Sequence, residues 1–183
     1  MNKRAFSLYN IVLTSIFTAI ITATAYFFKL PLPNLNGYIH LGDAMVFISA
    51  CILPAPLAVF SASVGSALSD FFGGYTIYVV PTLIIKALLV LSFSRKEKKI
   101  VCKKNLFALL ICTLVSVAGY FVADTVIMYF SMSVAQIKYA VIASLSNMPW
   151  NFLQAICSAV VFIVFATSLD KIQIKSKING GKR

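Results

Sequence analysis

The sequence predicts an all-α membrane protein, a bundle of six transmembrane helices with both termini in the cytoplasm. Three observations predict it. The composition is 60% hydrophobic and only 11% charged, and a mean hydropathy of +0.92 is far above what a soluble domain of 183 residues needs for its core. Apolar runs at 5–28, 105–130 and 152–169 approach or exceed the ~20 residues that cross a bilayer core as helix. The 16 Lys and Arg sit in short stretches between apolar runs and not along one basic face, so they mark topology.

The first helix runs from about Tyr9 to Phe28 and stops at Pro31 and Pro33, which cannot continue a helix in register. The basic Lys3 and Arg4 precede an apolar run too long for a signal-peptide core, so this reads as a retained helix. After a loop to Tyr38, the apolar stretch from Leu41 to Phe72 is broken by Pro54 and Pro56. It reads as two short antiparallel helices, 41–53 and 57–72. Gly73 and Gly74 end the third helix, and a fourth covers 77–93. A basic loop at 95–104 leads to a fifth helix at 106–130. Ser133 to Ser146 is moderately apolar, with Gln136 and Lys138, and Pro149 then precedes a clean run. This predicts an outer helical segment followed by a sixth helix at 150–168, and a basic tail at 171–183.

An even number of spans puts both termini on one side. Lys3, Arg4, the six basic residues of 95–104 and the five of 171–183 share that side, whereas Lys29 and Lys138 are opposite and Lys86 lies within helix four. Such asymmetry puts the termini in the cytoplasm. The whole chain reads as a single integral membrane domain.

Several function classes fall away. The dispersed charge argues against a nucleic-acid-binding domain. Cys51, Cys102, Cys112 and Cys157 form no CxxC or Cys/His pairing, and three lie in apolar runs, so neither metal nor redox cofactor is expected. There is no Walker sequence, dinucleotide-binding glycine turn, HExxH or GxSxG, so the chain does not itself hydrolyse ATP. It also lacks the two similar halves of a self-sufficient secondary transporter.

Ionisable groups inside a membrane are costly unless paired or solvated in a cavity, so each is a functional candidate. Glu97 and Asp170 lie in basic stretches and read as solvated charges. Asp43, Asp70 and Asp124 fall in the outer part of the bundle, together with His40, Tyr75, Tyr78, Trp150, Asn151 and Gln154. Lys86, eight residues into helix four, lies about 12 Å deeper. The expected picture is an outward-facing polar and aromatic cavity with a lysine towards its floor. Each position has a plainer reading too: Tyr38, Tyr78 and Trp150 as interfacial belt residues, Asp43 as a helix cap, and Asp70 or Asp124 as structural partners of Lys86. On helix one, Ser15, Ala19 and Ala23 form a small-residue stripe that admits close helix approach, beside Thr14, Thr18 and Thr22.

The segments HLGDAMVF (40–47), GSALSDFFGGY (65–75) and PTLIIKA (81–87) resemble the signature of S components of energy-coupling factor (ECF) transporters, most closely the riboflavin-type group. MPWNFLQ (148–154) resembles the start of helix six in the same superfamily. The resemblance covers essentially the whole chain. It implies six helices that bind a vitamin or precursor from outside, and coupling to a shared transmembrane T subunit and two cytoplasmic ATPases, with toppling in the membrane to deliver substrate. It further implies that small residues on helix one, here Ser15, Ala19 and Ala23, dock on the T subunit. Ser15 departs from the family's alanine. Substrate would be held by helices four to six and the outer loops, which gives Asp43, Asp70, Tyr75, Tyr78, Lys86, Asp124, Trp150, Asn151 and Gln154 as the candidate contacts. Riboflavin, pyridoxine-type and hydroxymethylpyrimidine-type ligands all fit the resemblance. Aromatic rings beside Asn, Gln and Asp suit a planar heterocycle, whereas a single histidine disfavours cobalt or nickel as cargo. Two other classes stay open on residues alone: a membrane enzyme using outer carboxylates on a lipid-like substrate, and a structural protein whose buried charges only pair.

Overall fold

The computed structural model describes residues 6–31, 38–131 and 136–180. In chain order the elements are α1 (Leu8–Phe27), β1 (Lys29–Pro31), β2 (Tyr38–His40), α2 (Gly42–Ile52), α3 (Ala55–Phe72), a 3-10 turn at Thr76–Tyr78, α4 (Val79–Leu91), α5 (Lys103–Ser131), α6 (Ile137–Lys171) and α7 (Ile174–Gly180). Helix α1 packs on α2 and α3, α3 on α4, α4 on α5, α5 on α6, and α6 returns to α2. The two strands form an antiparallel pair in which Lys29 faces His40. Lys3, Arg4, Pro33, Lys182 and Arg183 lie outside the described residues.

Local chemistry explains the helix ends. Ser7 caps α1 by accepting the Asn10 N–H at 3.3 Å. Pro56 falls in the first turn of α3, where a missing N–H costs nothing, so the two prolines turn the chain sharply without breaking a ladder. Gly74 adopts a φ of +84°, a left-handed conformation that an L side chain rarely takes, and this ends the α3 segment. Helices α1, α3, α5 and α6 are each long and apolar enough to cross a membrane, and α2 and the Thr76–Leu91 segment are shorter apolar helices. At 11 residues, α2 is only about 16 Å long. Outward side chains such as Val12 and Ile16 on α1, Phe107, Leu110 and Leu114 on α5, and Val160 and Val164 on α6 are apolar, the surface a bilayer covers.

Two expectations are corrected here. From Ile137 onwards the outer segment and the sixth helix are one helix, α6, with Pro149 inside it, whereas Ser133 lies outside the described residues. Proline removes a single ladder bond, to the carbonyl of residue 145, and membrane helices tolerate this. Asp170 is also not a solvated charge: its carboxylate accepts the N–H groups of Ile100 at 2.7 Å and Val101 at 2.8 Å. The 95–102 connection is therefore pinned to the end of α6. Asn105 ties Ser94 and Ile100 to α5, and Lys175 of α7 donates to the carbonyls of Arg95 and Glu97. Burial lowers the Lys175 ammonium from the usual lysine value. Glu97 does pair at the surface, with Lys104 at 2.7 Å.

The apolar core sits towards this same end, where the rings of Phe47, Phe93 and Phe162 meet at centroid distances of 5.2 to 5.9 Å. The opposite end of the bundle is polar.

Candidate functional site

At the polar end, a cavity opens between the end of α3, the start of α4, the second half of α5 and the first half of α6. His40, Asp70, Tyr75, Tyr78, Thr82, Tyr120, Asp124, Asn147, Asn151 and Gln154 line it, and its empty volume is about 510 Å³ with the open mouth included. It is concave, with a few polar groups converging from separate elements, as small-molecule sites are.

Each side chain arrives by helical spacing. Asn147, Asn151 and Gln154 fall at i, i+4 and i+7 on α6, Tyr120 and Asp124 at i and i+4 on α5, and Tyr78 and Thr82 at i and i+4 where α4 begins. The Asp124 carboxylate is gripped from both sides, by the Tyr78 hydroxyl at 2.9 Å and by Asn147 Nδ2 at 2.8 Å. Because a carboxylate only accepts, the amide nitrogen of Asn147 must face it, and Asn147 Oδ1 is left buried without a partner. Asn151 Nδ2 is also buried and without one. The Thr82 and Tyr120 hydroxyls meet at 3.2 Å. At the mouth, Lys29 Nζ stands 4.5 Å from the Tyr26 ring centroid and 5.8 Å from that of Tyr75.

Beneath the cavity lies a buried ion pair. Lys86 Nζ donates to Asp43 Oδ1 at 2.6 Å, and the two side chains are 0% and 2% exposed. Gln154 joins this pair to the cavity wall: its Nε2 donates to Asp43 Oδ2 at 3.1 Å, and its Oε1 accepts the His40 N–H at 3.2 Å. Lys86 Nζ also lies 5.3 Å from the Tyr120 ring centroid. Of the three candidate acids, Asp43 is thus the partner of Lys86.

Six of the nine candidate contacts therefore converge on the cavity: Asp70, Tyr75, Tyr78, Asp124, Asn151 and Gln154. Asp43 and Lys86 do not line it and support it from below. Trp150 points away, 38% exposed on the outer surface of α6. Thr82, Tyr120 and Asn147 were not among the candidates. Asn147 had a readable signal, a shared face with Asn151 and Gln154, which a helix break at Pro149 conceals.

A second concavity runs along the flank between α1 and α3. Ser15, Ala19 and Ala23 line it, with Thr18, Thr22, Tyr26 and Phe27 from α1 and Phe60, Val64, Leu68 and Phe72 from α3. Its floor is set by a close approach: Thr22 donates to the Gly65 carbonyl at 2.9 Å, and a Cβ on Gly65 would meet the Thr18 carbonyl oxygen at 2.9 Å. The threonine stripe thus faces α3 while the small-residue stripe faces out. Among the described residues no group of three His, Cys, Asp or Glu is placed to hold a metal.

Comparison with known proteins adds to this geometry. Residues 5–171 match the family described as the ECF-type riboflavin transporter, S component. A solved structure, described as the structure and mechanism of the S component of a bacterial ECF transporter, shares the fold with a TM-score of 0.66 and 18% identity, over 89% of this chain and 96% of that one. An uncharacterised protein in a gap 3' region of Pyrococcus woesei is 35% identical over 66 residues, 36% of this chain. The match spans 44% of that relative's length.

Proposed function

This chain belongs to the ECF-type riboflavin transporter S component family, and from that membership we propose that it captures a small planar vitamin or precursor from outside the cell, in the cavity at the polar end of the bundle. The family is one of transporter subunits and not of enzymes, which sets aside the membrane-enzyme reading. The protein is a substrate-binding S component, a membrane protein whose apolar helices suit the bilayer.

One observation carries the ligand reading. Two buried amide atoms, Asn147 Oδ1 and Asn151 Nδ2, lack partners beside a cavity ringed by Tyr75, Tyr78 and Tyr120. An unmet buried polar group is costly, so a molecule in the cavity that supplies the missing partners is favoured there. One accepts and the other donates, one helical turn apart. A flat ring whose edge offers N–H beside a carbonyl or ring nitrogen, stacked on tyrosine, answers both. Flavin and aminopyrimidine rings have such an edge, and pyridoxine has a poorer one. Tyr78, Asp124 and Gln154 complete the lining, Asp70 and Tyr75 stand at the mouth side, and Asp43 and Lys86 hold Gln154 in place.

Delivery follows the family pattern: a T subunit docks along the Ser15, Ala19 and Ala23 groove, and two cytoplasmic ATPases drive release. Six spans with cytoplasmic termini fit the distribution of basic residues, with α2 and α4 as short spans packed within the bundle.

The test is mass spectrometry of small molecules released on denaturing the detergent-purified protein, followed by affinity measurements with the released compound. A flavin or pyrimidine is expected, and Asn151→Ala or Asn147→Ala should weaken its binding about five- to tenfold, the ~1–1.5 kcal/mol of one hydrogen bond. Unchanged affinity in both variants rejects this site.

A further inference from the structure

We propose that the pocket at the opposite end of the bundle, between the last turn of α6 and the 95–102 connection, binds the phosphate headgroup of an anionic phospholipid through Lys99 and Lys171. The pocket is lined by Lys99, Val101, Thr167, Asp170 and Lys171 and has an empty volume of about 560 Å³. It is remote from the ligand cavity: Gln154 and Thr167 are thirteen positions apart on α6, about 20 Å of helix. The inference is independent of the vitamin reading.

Three features make this a site and not merely a basic stretch. First, its backbone is fixed. The Asp170 carboxylate receives the N–H groups of Ile100 and Val101, and the loop behind is tied by Asn105 and Lys175, so Lys99 stands on a held connection. Second, both lysines are exposed, and neither ammonium is in an ion pair among the described residues. The one carboxylate in the pocket is turned to the backbone that carries Lys99. Third, the pocket adjoins hydrocarbon-facing surface. One to two turns back along α6, Val160, Val164 and Phe165 are exposed, and Phe107 and Leu110 are exposed near the start of the neighbouring α5. A ligand that sets a phosphate between two ammonium groups and lays alkyl chains over these side chains is a phospholipid of net negative charge. Basic pockets at the ends of membrane helices select anionic headgroups in this way.

The experiment uses the full-length protein in mild detergent and compares the unfolding midpoint with phosphatidylglycerol, with phosphatidylcholine of the same chain length, and with inorganic phosphate. Phosphatidylglycerol should raise the midpoint more than phosphatidylcholine in the wild type and in Lys98→Gln. The difference should vanish in the Lys99→Gln/Lys171→Gln double variant and persist in Lys99→Arg/Lys171→Arg. Equal effects of the two lipids on the wild type would overturn the proposal, as would an anionic-lipid shift retained by the double glutamine variant. A full shift with inorganic phosphate alone would assign the site to a free anion and overturn the lipid reading.

Discussion

Lys86 heads the fully buried side chains in order of size, and its charge is met by a single carboxylate, that of Asp43. Removing one partner strands the other in a low-dielectric interior, which costs about 3–5 kcal/mol. Asp43→Asn and Lys86→Met should each lower thermal stability by that order, and the double variant should lose less than the sum of the two. Small, additive losses would mean that the pair is solvated. His40, in β2 outside the helices, makes a second residue-level prediction. Its Nδ1 accepts the Gly42 N–H at 3.1 Å, so the ring is neutral there, and burial, opposed by Asp43 and aided by Lys86, holds its pKa below the usual imidazole value. The unfolded chain then binds the extra proton first as pH falls. Stability from neutral His40 is complete above pH ~6.5 and declines on acidification towards the folded pKa. Melting curves between pH 7.5 and 5 should show this decline in the wild type and a shallower one in His40→Gln. The sequence made the ionisable residues of the outer bundle conspicuous, because charge in an apolar run has few plain explanations. It did not show which acid meets Lys86, since that depends on how α2 packs against α4. Nor did it reveal Tyr120 or Thr82, which in a membrane helix look like any aromatic or small polar residue.

At the scale of elements, close packing at glycines limits how the helices can lie. A Cβ at Gly65 would press on the Thr18 carbonyl oxygen at 2.9 Å and on Ile21 Cβ at 3.0 Å, whereas a Cβ at Gly119 would meet the Ile85 side chain, with Cγ1 at 2.9 Å and Cδ1 at 3.1 Å. A side chain rotates aside more readily than a helix backbone moves. Gly65→Ala should therefore destabilise by about 1–3 kcal/mol, the usual range for overpacking, and Gly119→Ala by less; equal losses in unfolding experiments would contradict the backbone argument. Element existence was legible because apolar runs and proline breaks are strong local signals. Pro54 and Pro56 marked a real turn, while Pro149 misled. The difference lies in context: Pro54 stands between α2 and α3 and Pro56 in the first turn of α3, whereas Pro149 lies inside one continuous helix. Reading a break at Pro149 also hid the Asn147, Asn151 and Gln154 face. The pinned 95–102 connection was invisible for a different reason, since its ties to Asp170 and Lys175 join residues about 70 to 80 apart in sequence.

The whole molecule separates its surfaces. The candidate cavity opens at one end, the basic pocket lies at the other, and the groove of Ser15, Ala19 and Ala23 runs along the α1–α3 flank. The cavity and the groove share one element, α3, but not its side chains: Asp70 lines the cavity, whereas Phe60, Val64, Leu68 and Phe72 line the groove. On the proposed function, this separation would let a partner seat on the flank without entering the cavity. Filling the groove should then abolish assembly and leave capture intact. Ala19 is exposed on α1, so Ala19→Trp puts an indole where the partner helix must approach without crowding the α1–α3 contact at Gly65. The variant should fail to co-purify with a T subunit, yet its unfolding midpoint should rise with ligand as much as that of the wild type, since the midpoint shift depends on ligand affinity for the folded chain alone. Normal co-purification would remove the groove as the docking face, and loss of the ligand-induced shift would show that α1 and the cavity are coupled through α3.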